Sequence, residues 1–120
     1  MRPFLPLPLL ALAACGPNPV VGDWTCETGS TDWTNELSIF EDLTGEATLH
    51  YTQAGASYHS VFDAAVQDRG AGLYWIDVTC AEDCPEAGKD FRMTCTLSED
   101  AENLACEATG WYDLAWVRAG

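Results

Sequence analysis

The chain has 120 residues, of which 48% are hydrophobic, and 19 acidic against five basic side chains give a formal net charge of −14. This length is enough for one domain with one modest core. So acidic a surface repels phosphate groups, which argues against nucleic acid and anionic lipid headgroups as partners. The charge by itself favours solubility, and it leaves open a basic protein partner.

The N-terminal segment has one basic residue, Arg2, followed by an apolar run over residues 4–14. The run is shorter than the ~20 apolar residues that span a bilayer, so it is typical of an export signal. Its end, LAAC at residues 12–15, resembles the lipobox of bacterial lipoproteins. The resemblance implies cleavage before Cys15, acylation of that cysteine with palmitate-type chains, and a membrane-tethered mature protein. The alternative is a plain secretory peptide with a chance cysteine.

The lipobox resemblance implies a signal peptide at residues 1–14 and a lipid-anchored tether at 15–19. The rest of the chain, residues 20–120, is predicted to be a single β-barrel domain from its strand pattern. The tether is short and proline-rich, which keeps the domain near the lipid surface. Gly16 stands where an Asp would resemble the retention signal of some Gram-negative inner membranes. We therefore expect a lipid-anchored monomer of the bacterial cell envelope, at the outer membrane, without a transmembrane helix.

Beyond the tether, short runs of alternating apolar and polar residues are separated by turn residues roughly every 8 to 12 positions. This pattern predicts eight strands, namely VVGDWTCE from Val20, NELSIFE from Asn35, GEATLHYT from Gly45, SYHSVFDAAV from Ser57, LYWIDVTC from Leu73, DFRMTCTL from Asp90, NLACEATG from Asn103 and WYDLAWVR from Trp111. The short links favour an all-β, antiparallel up-and-down meander. Eight such strands can close into a barrel, which removes the exposed edges.

Alternation along the strands also predicts which side chains point into the barrel. The large aromatic residues at these inward positions are Trp24, Tyr51, Tyr58, Phe62, Tyr74, Phe91, Tyr112 and Trp116. An eight-stranded barrel has room for its own side chains or for one small ligand. So many aromatic rings predict a packed lower half and at most a shallow pocket at the mouth.

Gly22-Asp23-Trp24 in the first strand and Arg118 in the last resemble the Gly-x-Trp opening and the closing arginine of lipocalins. The resemblance implies that the Trp24 indole plugs one end of the barrel while the Arg118 guanidinium covers it. The chain is shorter than a standard lipocalin and lacks the C-terminal helix. Thr31-Asp32-Trp33 is similar to a further lipocalin motif but lies too early in the chain. The sequence therefore predicts a lipocalin-like barrel.

Cys95 and Cys106 are the best disulfide candidates, because cysteines outside the cytoplasm tend to be oxidised. A hairpin over residues 98–103 sets Leu97 against Leu104, and the same register sets the two cysteines opposite each other. Zinc binding is the rival interpretation. The separation between these cysteines is far longer than the two to four residues usual within a zinc ligand pair.

A second disulfide is expected among Cys26, Cys80 and Cys84. Cys80 and Cys84 can close the short loop between them. Cys26 should lie at the same barrel mouth, so its pairing with either of the others is an open alternative.

The two histidines face each other if residues 54 and 55 form a two-residue turn, with His50 opposite His59 on the outer face. Such a pair can clamp Cu²⁺, Ni²⁺ or Zn²⁺, but the sequence offers no third ligand, so we expect solvated histidines. The acidic loops at 82–90 and 99–102 do not have the calcium-loop spacing. The sequence thus predicts no metal and no cofactor.

Catalytic motifs are absent from the sequence: there is no Gly-x-Ser-x-Gly elbow, no His-Glu-x-x-His and no phosphate-binding glycine loop. With both histidines outside the barrel, a Ser-His-Asp set has nowhere to assemble. The sequence therefore favours a non-enzymatic protein.

Three functions remain open. The barrel could bind a small apolar ligand through its mouth, with a lining formed by Tyr51, Tyr58, Phe62, Trp24 and Trp116. It could instead bind a basic envelope protein, because Gly55-Ala56-Ser57-Tyr58 resembles the Ser-Gly-x-x-Tyr loop of periplasmic lysozyme inhibitors, with Ala54 in place of the serine, and an acidic surface suits a basic enzyme. Or it could be a structural envelope component.

Overall fold

The computed structural model describes residues 17–27, 34–53, 55–84, 90–108 and 113–119, and of residues 27 and 51–53 only the backbone. The strands are β1 (Gly22–Glu27), β2 (Thr34–Ile39), β3 (Thr44–Gln53), β4 (Ala56–Gly70), β5 (Leu73–Glu82), β6 (Asp90–Leu97), β7 (Asn103–Ala108) and β8 (Leu114–Arg118). Each strand pairs antiparallel with the next, and β8 pairs with β1. The predicted all-β, closed eight-stranded antiparallel barrel is confirmed.

Several predictions fall on other parts of the chain. The signal peptide at 1–14, the lipidated Cys15, the tether residue Gly16 and the Tyr112 side chain lie outside the described residues, as does the Tyr51 side chain. Across the described ranges, no helix has the length and apolar character needed to cross a membrane.

The two hairpin registers predicted from the sequence are both present. Tyr51 pairs with Tyr58 and Gln53 with Ala56 across the β3–β4 turn. Leu97 pairs with Leu104 across the β6–β7 turn. Because side chains alternate along a strand, these registers fix which residues enter the barrel.

Some strand ends differ from the prediction. The second strand stops at Ile39 because a tight turn begins at Phe40, whose N–H donates to the Thr44 carbonyl at 2.8 Å while its own carbonyl accepts from Leu43. Phe40 is thereby left 51% exposed. The first strand begins at Gly22, since Val21 N–H donates to the Asn18 carbonyl and closes a turn before it.

The core is the row of inward-facing side chains from every strand. It includes Trp24, Leu37, Leu49, Phe62, Ile76, Met93, Leu104 and Trp116, all at most 1% exposed. The predicted inward alternation is confirmed in β4 to β8 wherever the side chains are described, with Tyr58, Cys80, Phe91 and Leu97 only partly buried.

The two ends of the barrel have different neighbours. We call the floor the end where β1 begins, β8 ends and the turns before β3, β5 and β7 lie. We call the mouth the opposite end, where β3 turns into β4 at Gly55 and β5 leads to Cys84.

Candidate functional site

The floor is closed by Trp24, which is 1% exposed. Its indole Nε1 donates to the Val20 carbonyl at 3.0 Å. The Arg118 guanidinium lies 4.1 Å from the centroid of the Trp24 ring, a cation–π contact. The contact expected from the Gly-x-Trp and arginine residues is therefore present.

Gly22 makes this contact possible. It has a φ of +135°, and an added Cβ would lie 2.5 Å from Arg118 Nη1. Residues with a side chain rarely adopt this φ, and a Cβ here would force the Arg118 guanidinium to move. The glycine of the motif thus leaves room for the guanidinium that covers the floor.

Arg118 also ties three chain segments together. Its Nη1 donates to the Val21 carbonyl at 2.8 Å and its Nη2 to the Pro19 carbonyl at 2.6 Å. Its Nε and Nη2 donate to the Ala101 carbonyl in the β6–β7 turn. The planar guanidinium presents several donors in fixed directions, so one side chain can satisfy all these acceptors.

Asn18 fixes the segment before β1 to the floor. Its Nδ2 donates to Asp68, and its Oδ1 accepts from the Tyr74 hydroxyl at 2.6 Å and from Val20 N–H. Burial raises the pKa of Tyr74, and the charge of Asp68 adds to this effect. Residues 18 and 19, predicted as part of the tether, are thus bound to the barrel.

The inner wall towards the mouth contains a buried polar residue that, unlike those of the floor, is not fully hydrogen-bonded within the described part of the chain. Asn35, opposite Cys26 in the β1–β2 pairing, is 0% exposed. Its Oδ1 accepts from His50 N–H at 2.8 Å. Its Nδ2 has no hydrogen-bond partner among the described residues.

Trp116, on the strand next to Cys26, is a second buried residue whose N–H donor has no hydrogen-bond partner among the described residues. Thr25 pairs with Val117, which sets the next inward residues, Cys26 and Trp116, side by side across the β1–β8 seam. Trp116 is 1% exposed, and its Nε1 has no partner in the described part of the chain. Two buried N–H donors therefore flank Cys26 on the inner wall.

Two disulfides are formed by the described cysteines. Cys95–Cys106 joins directly opposed residues of β6 and β7 and confirms the predicted pair. The second, Cys80–Cys84, closes the short loop after β5, which is one of the arrangements left open by the sequence. Cys26 is buried and belongs to neither.

His50 and His59 are cross-strand partners, as the turn length predicts. Their ring centroids are 4.3 Å apart in an edge-to-face arrangement. Burial lowers the pKa of His50, the neighbouring His59 lowers it further, and Glu36 opposes the shift. No group of three or more potential metal-binding side chains occurs within the described ranges.

The residues predicted to line a ligand site lie at different depths. Trp24 belongs to the floor, and Phe62 and Trp116 are fully buried in the core. Tyr58 is half-buried near the mouth. Phe62 packs edge-to-face on Phe91 with centroids 5.5 Å apart, so these two rings occupy part of the barrel interior.

Sequence reasoning missed the two buried polar residues, Asn35 and Ser60. Both share the strand parity of buried apolar neighbours: Asn35 precedes Leu37 by two residues, and Ser60 lies between Tyr58 and Phe62. Alternation along the strands was therefore the signal in the sequence that could have placed both residues inside the barrel. A polar residue at an inward position is a more specific functional hint than another aromatic ring.

On the outer face, one tryptophan of β5 lies between arginines of β4 and β6. The guanidinium carbons of Arg69 and Arg92 lie 4.0 and 4.1 Å from the Trp75 ring centroid, and Arg92 also forms an ion pair with Asp77 at 2.6 Å. These charges lie against a partly buried tryptophan on the outer face.

No protein-family model, curated protein or solved structure matches the chain significantly.

Proposed function

We propose that the protein is a non-enzymatic lipoprotein of the bacterial cell envelope whose lipocalin-like barrel binds one small apolar ligand through its mouth. The observation that carries this proposal is the contrast between the barrel ends. The floor is sealed by Trp24 and Arg118, whereas buried polar groups face the interior above it. Ligand sites in proteins are mostly apolar, with a few placed polar groups.

The anchoring half of the proposal rests on the LAAC sequence at residues 12–15. The lipid on Cys15 would hold the barrel at the outer membrane. Asn18 is already bound to the floor, so the floor would lie nearest the lipid and the mouth would face away from it.

Mass spectrometry of the protein purified from its own membrane tests the anchor. Residue 15 is expected to be acylated and residues 1–14 to be absent. Cys15→Ala should accumulate as an uncleaved precursor. A normally cleaved, soluble Cys15→Ala product would overturn the lipoprotein assignment and leave a secreted protein.

Ligand binding is tested by titration with the neutral dye N-phenyl-1-naphthylamine and with a fluorescent fatty acid, beside a lysozyme inhibition assay. Saturable enhancement of dye fluorescence supports the ligand-binding barrel. Inhibition of lysozyme without dye binding would instead support the second candidate, a protein-binding envelope module. That candidate is favoured by the acidic charge and by the resemblance of residues 55–58, at the β3–β4 turn, to the loop of periplasmic lysozyme inhibitors. If the protein neither binds the dye nor inhibits lysozyme, a structural role in the envelope is the remaining candidate.

A further inference from the structure

The inner wall beside Cys26 has two buried donors without acceptors, and such groups are rare in folded proteins. Asn35 Nδ2 and Trp116 Nε1 have no hydrogen-bond partner among the described residues, although both side chains are at most 1% exposed. An N–H group removed from water without a new acceptor is costly. A ligand that supplies the acceptor would remove this cost.

The two donors lie on the same stretch of wall. Cys26 is opposite Asn35 in the β1–β2 register, and it neighbours Trp116 across the β1–β8 seam because Thr25 pairs with Val117. The Cα atoms of Asn35 and Trp116 are thus two strand spacings apart, roughly 10 Å. An amide and an indole that both point inward can converge on one polar group across this distance.

The charge of the interior restricts what that group can be. None of the buried side chains in the described residues is charged; besides the tryptophans and Tyr74, the buried side chains with polar groups are Asn35 and Ser60. No buried cation is therefore present there to balance a carboxylate, and an unpaired buried charge is strongly unfavourable. A neutral carbonyl needs no counter-charge, and its oxygen has two lone pairs for two donors.

We propose that Asn35 Nδ2 and Trp116 Nε1 form a subsite for the neutral carbonyl group of an apolar ester, ketone or amide. This inference rests on the proposed ligand-binding function and adds the ligand class to it. The apolar part of the ligand would extend from this subsite towards Tyr58 and the mouth, because the floor below is filled by Trp24.

Competition titrations on the full barrel domain test the subsite. N-phenyl-1-naphthylamine reports occupancy of the interior, and methyl octanoate and octanoate serve as competitors of equal chain length. The ester is expected to displace the dye at a lower concentration than the acid. Equal potency, or a preference for octanoate, would overturn the neutral-carbonyl assignment.

Two variants connect this preference to the donors. Trp116→Phe removes the indole N–H, and Asn35→Leu removes the whole side-chain amide, including the Oδ1 that accepts from His50 N–H. Each variant should weaken ester binding about fivefold, as expected for the loss of one hydrogen bond to the ligand. The affinity for the dye is measured in the same variants, and its loss is expected to be smaller than the loss for the ester, because the dye has no carbonyl oxygen to accept from these donors. Trp75→Phe and Asn103→Leu are the matched controls on the outer face and should leave both affinities unchanged.

The same measurements separate the two ways of failing. If neither dye nor competitor binds the wild-type protein, the ligand-binding function itself is wrong. If the dye binds but both variants retain the wild-type affinity for the ester, the donors are satisfied by buried water and the subsite alone is wrong. If a variant unfolds, NMR of the indole N–H of Trp116 in the wild-type protein tests the subsite instead. This resonance should move downfield when methyl octanoate is added and stay in place when octanoate is added. No movement with methyl octanoate would overturn the subsite.

Discussion

Trp24 and Trp116 are two equally buried tryptophans on neighbouring strands of the same barrel, and their surroundings differ. The Trp24 indole donates to Val20 and lies under Arg118. The Trp116 indole has no acceptor in the described part of the chain. Folded proteins satisfy their polar groups where stability is the purpose, and they tend to depart from this rule at functional sites. The comparison supports a structural role for the floor, and it is the basis of our proposal that the wall above the floor binds a ligand.

Removal of the floor tryptophan should give the largest effect. Trp24→Ala leaves a large cavity under Arg118 and is expected to lower the free energy of unfolding by ~3–5 kcal/mol, a large part of the total for a small domain. Urea denaturation measures this change. Trp75→Ala is the matched control on the outer face and should cost far less. A nearly neutral Trp24→Ala would show that the floor does not depend on its indole.

The disulfides offer a second way to compare the two ends. Cys95–Cys106 lies in the β6–β7 hairpin, with a sequence separation of 11, whereas Cys80–Cys84 closes a loop of separation 4 near the mouth. Loop-closure entropy predicts a loss of about 3 kcal/mol for Cys95→Ala/Cys106→Ala and about 2 kcal/mol for Cys80→Ala/Cys84→Ala. Denaturation of each double variant checks the order, and the reverse order would mean that the mouth loop constrains the fold more than its length implies.

Arg118→Lys sharpens the comparison by keeping the charge and losing the planar donors. The lysine cannot reach the Pro19, Val21 and Ala101 carbonyls together, so we expect a loss of about 1–2 kcal/mol. Arg69→Lys is the control, because it removes a similar guanidinium–tryptophan contact at Trp75 on the outer face. Its effect should stay within about 0.5 kcal/mol. Equal losses in the two variants would show that the backbone contacts of Arg118 contribute little.

Much of the barrel could be predicted from the sequence because its signals are local. Strict alternation marks the inward rows of β5 to β7, and two short hairpin turns fix the Tyr51–Tyr58 and Leu97–Leu104 registers. The contact between Trp24 and Arg118, 94 residues apart in sequence, could be expected only from the resemblance to lipocalins.

The rest depends on tertiary context. Asn35 is polar, and only the closed barrel shows that its amide is buried and that its Nδ2 has no acceptor among the described residues. The pairing of Cys80 with Cys84 rather than with Cys26 depends on where the chain turns after β5. Similarly, the end of β2 at Ile39 is set by the hydrogen bonds of the Phe40 turn. None of these follows from alternation.

The smallest expected effect is a pH dependence of stability near neutral pH that arises from His50, close to the mouth. Burial and the neighbouring His59 hold the pKa of His50 below its ordinary value near 6.5 in the folded protein. Above that pH the imidazole is neutral in both the folded and the unfolded chain, so it does not change the free energy of unfolding. As the pH falls below it, the unfolded chain takes up the proton first, so the free energy of unfolding decreases and the full loss is reached below the folded-state pKa.

Thermal unfolding between about pH 7.5 and 5 should show this slope. His50→Gln should flatten it, and His59→Gln should flatten it in part by removing the repulsion. Because carboxylates titrate equally in all three proteins, the difference between the curves isolates the histidines. Identical slopes would mean that protonation of His50 is not linked to the folding of the mouth.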